Sequence, residues 1–99
     1  AIRAFEGAVA QWPASAAALM AWGNALYAGG DAAGAADAFE RATRIDPANA
    51  DAFNNLAHVR AELGATDAAE AAALRAIEIG GPQRALYRRT LDEIRRQHP

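Results

Sequence analysis

Few side chains in this sequence could do covalent or metal chemistry. The 99 residues include no Cys, one Ser (Ser15) and two His (His58 and His98). A catalytic nucleophile needs a base within hydrogen-bond reach, and a metal site needs clustered ligands. Ser15 stands where a helix cap is expected, and the two His are far apart in the chain. We therefore predict no catalytic residues, no metal site and no cofactor, and a protein that is not an enzyme.

The charged side chains fit solvated helix faces better than a reaction centre. Five acidic residues fall on predicted outer faces, where ion pairs such as Glu40–Arg44 are expected: Asp37, Glu40, Asp67, Glu70 and Glu78. No sheltered cleft that would shift a pKa is indicated. The net charge is only −2. The segment 84–99 is basic, with five Arg against Asp92 and Glu93. A solubilising end of the fold is the favoured interpretation, docking of an acidic partner comes second, and contact with nucleic-acid phosphates comes last.

A repeat of 34 residues positions these side chains. Pro13, Pro47 and Gly81-Pro82 follow one another at that interval, and the stretches before them carry small and large apolar residues at matching offsets. The matching sets are Ala1, Phe5 and Ala8; Ala35, Phe39 and Ala42; and Ala69, Ala73 and Ala76. Self-similarity at a fixed period is typical of stacked-repeat proteins.

The composition favours an all-α fold, because hydrophobic residues make up 53% of the chain and 30 of the 99 residues are Ala, the best helix former. No apolar run is long enough to span a membrane. Cap and stop residues divide the chain into helices. The predicted helices are 1–12, 16–28 capped by Ser15, 32–46 capped by Asp31, 50–63 capped by Asn49, 67–79 capped by Thr66, and 82–97 opened by Pro82.

Two positions indicate how the helices pack. Gly23 falls in the middle of a helix, where it costs about 1 kcal/mol relative to Ala, so we expect another helix to cross closely there. Its counterpart one repeat later, Ala57, is also small. The second repeat has Arg60 and Ala73 where the first has Leu26 and Phe39. We therefore expect Arg60 to extend to solvent or to meet an acid, and the second repeat to be less stable than the first.

These features together resemble the tetratricopeptide repeat (TPR) family, whose helix–turn–helix units have this length. The resemblance extends over nearly the whole chain. Residues 16–49 carry it at Gly23, Leu26-Tyr27, Gly30-Asp31, Ala35, Phe39, Ala42 and Pro47, and residues 50–83 carry it at Phe53, Asn55-Leu56-Ala57, Gly64, Ala69, Ala76 and Gly81-Pro82.

The resemblance implies one TPR domain, a right-handed α-solenoid of about six helices in antiparallel hairpins. Its parts are 1–13, the second helix of a truncated repeat; 16–49 and 50–83, two full repeats; and 84–99, a capping helix whose inner side offers Tyr87, Leu91 and Ile94. On this interpretation the chain is a fragment of a longer, bacterial-type protein. The exposed edge at Ile2, Phe5 and Val9 could then also support self-association into a homo-oligomer.

In TPR folds the first helix of each hairpin lines a concave groove, so the resemblance also implies a binding surface. The groove residues expected from it are Met20, Asn24, Tyr27, Asn54, Asn55, His58, Arg88 and Arg89. Amide side chains suit a peptide, because each can donate to a carbonyl and accept from an N–H. Arg89 could add a charge-assisted bond to a carboxylate.

The same residues partly resemble the carboxylate-clamp TPRs that hold the acidic tails of heat-shock chaperones. Asn24, Asn55 and Arg89 match that motif. Its two other basic positions fall on Met20 and Ala85, so the clamp is incomplete and chaperone-tail binding is disfavoured.

The resulting prediction is a scaffold or adaptor module that binds a peptide or helix of a partner protein, with no small-molecule substrate. The alternatives are a structural spacer or oligomerisation arm of a larger assembly or enzyme, and then an RNA-binding solenoid. The sequence leaves the partner and the compartment open, since cytoplasmic and periplasmic locations are both compatible with it.

Overall fold

Five α-helices follow one another in the computed structural model, which describes residues 15–97. They are α1 (Ala16–Ala28), α2 (Ala32–Ile45), α3 (Ala50–Glu62), α4 (Thr66–Ile79) and α5 (Arg84–Gln97). Each helix packs against its neighbours in sequence, and α3 also contacts α5. The described part is therefore all-helical, in the TPR-type arrangement expected from the sequence. The helix predicted over 1–12 lies outside the described residues.

Side-chain caps set the beginnings of the first three helices. Ser15, Asp31 and Asn49 each accept a hydrogen bond from the backbone N–H three residues later, at 3.2, 2.9 and 3.1 Å respectively. Each bond satisfies one of the N–H groups that a helix end leaves without an intrahelical partner. The three predicted caps are confirmed.

Two predicted helix starts were wrong. Thr66 is the first residue of α4, so the cap position is Ala65, which has no side-chain acceptor. Helix α5 begins at Arg84, two residues after Pro82, because Gly80 and Gly81 turn the chain at φ 77° and 95°. The Arg84 N–H then donates to the Gly81 carbonyl at 3.2 Å and closes that turn. Helices α2 and α3 each end one residue earlier than predicted.

The close crossing expected at Gly23 is present. A Cβ atom added to Gly23 would lie 2.5 Å from Cε1 of Phe39, closer than carbon atoms can approach without displacement. Phe39 itself is 2% exposed, so its ring has little room to move. One repeat later, Ala57 and Ala73 are both fully buried. The missing side chain at Gly23 therefore makes space for the aromatic ring that fills the first hairpin.

The core is built mainly from small side chains. The buried residues of α4 are all alanines: Ala69, Ala72, Ala73 and Ala76. Helix α5 closes the stack with Tyr87, Leu91 and Ile94, which are buried as expected. The five Arg side chains of α5 remain exposed.

Arg60 meets an acid, as expected. Its Nη2 lies 3.8 Å from Oε2 of Glu40, whose other oxygen accepts a hydrogen bond of 2.7 Å from Arg44. One carboxylate thus pairs with Arg44 within α2 and with Arg60 across to α3. None of the helices in residues 15–97 is long and apolar enough to cross a membrane.

We predict that Gly23→Ala destabilises the protein by about 1–2 kcal/mol, although Ala favours the helix by about 1 kcal/mol, because overpacking against Phe39 costs more. Chemical denaturation measures the change. In a Phe39→Ala background, which removes the ring, the same substitution should be neutral or stabilising. Gly29→Ala is the control, since an added Cβ there would meet only atoms 3.5 Å or more away. Equal stability of wild type and Gly23→Ala would contradict the close crossing.

We also predict that the second repeat gains stability from a cap. Ala65 has φ −84° and ψ 67°, close to the −99° and 78° of Asp31, so Ala65→Asp should cap α4 and stabilise it by about 1 kcal/mol. Amide exchange is the readout. In the wild type, the amides of α4 should exchange faster than those of α2. In the variant, the amides of α4 should exchange more slowly than they do in the wild type. Ala71→Asp adds the same charge at an exposed position within α4 and should give no such protection. Wild-type α4 amides better protected than those of α2 would contradict the expected weakness of this repeat.

Candidate functional site

A cavity of about 440 Å³ opens along one face of the helix stack. Its polar lining comes from the alternate helices α1, α3 and α5, and its apolar floor includes Phe39, Val59 and Ile94. We call this cavity the groove. It lies on the first helices of successive hairpins, the face on which the sequence predicts a binding surface.

Four of the predicted residues meet in the groove. Asn24 and Tyr27 reach it from α1, and Asn55 and His58 reach it from α3. Asn24, Tyr27 and His58 are exposed, and Asn55 is half-buried. The two amides therefore share one concave surface that combines hydrogen-bond donors and acceptors with an exposed aromatic ring.

The other predicted residues lie elsewhere. Met20 is half-buried against the main core cluster. Asn54 is only 5% exposed, and its Oδ1 is buried without a hydrogen-bond partner among the described residues. Arg88 and Arg89 line a separate concavity on α5, with Arg84, Ala85, Asp92, Glu93 and Arg96. The edge predicted at Ile2, Phe5 and Val9 lies outside the described residues.

Three residues of α5 line the groove although they were not predicted from the sequence as groove residues: Thr90, Glu93 and Gln97. Helix α5 borders the groove with the side that faces α3, beside its buried stripe of Tyr87, Leu91 and Ile94. The spacing of that stripe was a usable signal. Positions 90, 93 and 97 are three or four residues apart, so they share one side of the helix, next to the buried stripe.

Tyr27 and Glu62 face each other across the groove. The Tyr27 hydroxyl donates a hydrogen bond of 3.2 Å to Oε1 of Glu62, joining α1 to α3. This bond, helped by the carboxylate charge, raises the pKa of Tyr27. Since the Tyr27 ring is 47% exposed, it offers a surface to a ligand while its hydroxyl orients the carboxylate.

A second contact joins α3 to α5 beneath the groove. His58 Nε2 lies 3.3 Å from Thr90 Oγ1, and that hydroxyl donates to the Leu86 carbonyl at 3.2 Å. A hydroxyl has one proton to give. With that proton on the Leu86 carbonyl, Thr90 accepts from His58 in the tautomer that carries the proton on Nε2.

The firmest link between α3 and α5 is the hydrogen bond from the Tyr87 hydroxyl to Oδ1 of Asp51, at 2.6 Å. Burial, with a smaller contribution from this bond and the carboxylate charge, raises the pKa of Tyr87 to about 12. The contact joins the first turn of α5 to the first turn of α3.

The carboxylate clamp is not assembled in this groove. Asn24 and Asn55 line it, but Arg89 borders the other concavity. None of the arginines in the described part of the chain lines the groove, whereas Glu62 and Glu93 do. Within residues 15–97, no three His, Asp or Glu side chains gather in a way that could hold a metal ion.

Comparison with known families agrees with this architecture. A model described as TPR repeat matches residues 23–64, and one described as tetratricopeptide repeat matches residues 50–79. Together the matches run from the middle of α1 to the end of α4 and include most groove residues. No curated protein is significantly similar to the chain.

We predict two separate tyrosine titrations. Tyr87 should lose its proton near pH 12 and Tyr27 at a lower pH, though above the ordinary value of 10. Because Tyr87 keeps its proton longer in the folded than in the unfolded state, its contribution to stability is present below pH 10 and is lost as the pH rises towards 12. Ultraviolet absorbance follows both titrations, and Tyr87→Phe should remove the later one. A single transition near pH 10 would contradict the Tyr87–Asp51 contact.

Proposed function

Since the chain belongs to the tetratricopeptide repeat family, we propose that it is a scaffold or adaptor module whose groove holds a peptide or helix of a partner protein. Tetratricopeptide repeats are generally protein–protein interaction modules and are typically non-catalytic. The family supplies the class of function. The groove residues supply the surface on which it would act.

The observation that carries the proposal is the convergence of Asn24, Asn55, Tyr27 and His58 on one cavity. A peptide backbone presents N–H and C=O groups along its length, and each asparagine can bond to one of either kind. Phe39, Val59 and Ile94 lie behind these polar groups and are almost fully buried, so the exposed apolar surface offered to a peptide is the ring of Tyr27.

The size of the groove favours a short segment. A cavity of about 440 Å³ accommodates a few side chains, and ordering an extended peptide costs conformational entropy. We therefore expect affinity to depend on a small number of anchor residues.

The test uses short peptides selected on the 99-residue chain from a random display library. Asn24→Ala combined with Asn55→Ala should weaken the selected peptides about tenfold or more, because each lost hydrogen bond is worth about 1 kcal/mol. Fluorescence polarisation measures the affinities. The control is Gln83→Ala, which removes an exposed amide outside the groove. Equal affinities for wild type and the double variant would contradict peptide binding in the groove.

A further inference from the structure

The glutamates of this protein divide into two groups. Residues 15–97 contain five of them, and three form ion pairs with arginine: Glu40 with Arg44 and Arg60, Glu70 with Arg95, and Glu78 with Arg75. The remaining two, Glu62 and Glu93, form no ion pair within the described residues. These two are the glutamates that line the groove.

Arginines of α5 line a cavity, but that cavity is not the groove. Arg88, Arg89 and Arg96 line the separate concavity on α5. Glu93 borders both cavities, yet it forms no ion pair with Arg89, four residues earlier. Among residues 15–97, the groove therefore carries two negative charges and no positive one, which is the reverse of the charge that an acidic peptide requires.

The surroundings of Glu62 suit a cation with a long aliphatic stem. The hydroxyl of Tyr27 holds one carboxylate oxygen at 3.2 Å and leaves the other free to accept. The exposed face of the Tyr27 ring can attract a cation. The same exposed ring gives methylene groups an apolar surface to cover, and Arg and Lys bury such groups while keeping the charged end solvated.

From this charge complementarity we propose that the groove binds a basic peptide segment of a partner protein. An Arg or Lys side chain of that segment lies between Glu62 and Glu93, and Asn24 and Asn55 hold its backbone. This inference rests on the proposed function, because it names the chemistry of the partner for the same groove.

The peptides selected from a random display library test it. They should be enriched in Arg and Lys. Glu62→Gln combined with Glu93→Gln should weaken the binding of the basic peptides about tenfold or more, because charge-assisted hydrogen bonds are lost. Affinity of the wild type should also fall as salt rises. Glu78→Gln, which changes the same charge on the outside of α4, should leave affinity unchanged and is the matched control. Circular dichroism of each variant verifies that the helices persist.

The outcomes separate the two proposals. One outcome would overturn the basic-peptide inference and keep the groove function. In it, the selected peptides are neutral or acidic, bind Asn24→Ala/Asn55→Ala more weakly than the wild type, and bind Glu62→Gln/Glu93→Gln as tightly as the wild type. Failure to select any peptide that the asparagine variant weakens would overturn both. Concentration-dependent self-association abolished by Glu62→Gln/Glu93→Gln would place the Arg-rich α5 of a second copy in the groove and overturn the inference of a separate partner.

Discussion

The contact on which the rest of the structure depends is the one between Gly23 and the ring of Phe39. A Cβ at position 23 would lie 2.5 Å from Cε1 of that ring, so α1 and α2 can nest only because the side chain is missing. The cost of glycine inside a helix, about 1 kcal/mol, is offset by the burial of an aromatic side chain. Close nesting of α1 on α2, followed by alanine-rich packing in the second hairpin, lets the alternate helices α1, α3 and α5 share one concave face.

Much of the fold could be predicted from the sequence because its signals are local and recur. Ser15 and Asn49 are one period apart and cap α1 and α3, and the same period places the start of α5 at Arg84, as observed. The errors arose where a prediction followed the type of a single residue and not the 34-residue period. Thr66 is a good cap by type, but the equivalent of Asp31 is Ala65. Pro82 is a good first-turn residue by type, but two glycines turn the chain before the helix can begin.

The groove was predictable in part, for a different reason. Four groove residues lie on α1 and α3, which begin one period apart, so the repeat pattern gives the groove-facing side: Asn24, Tyr27, Asn55 and His58. Helix α5 is the last described element, and its orientation is set by tertiary contacts such as Tyr87–Asp51 and Thr90–His58. These contacts direct Glu93 and Gln97 to the groove, whereas the predicted groove residues Arg88 and Arg89 line the separate concavity. A contact between residues 36 positions apart, such as Tyr87–Asp51, is not readable from local spacing.

The central claim is that the concave face of α1, α3 and α5 is where this protein meets its partner. Nuclear magnetic resonance mapping tests it most directly, with the isotope-labelled chain titrated with a peptide selected on it. The account predicts that the largest shift changes cluster at Asn24, Tyr27, Asn55, His58 and Glu62, while α2 and α4 change little. Shift changes centred on the exposed sides of α2 and α4, or on the arginines of α5, with the groove residues unaffected, would contradict it.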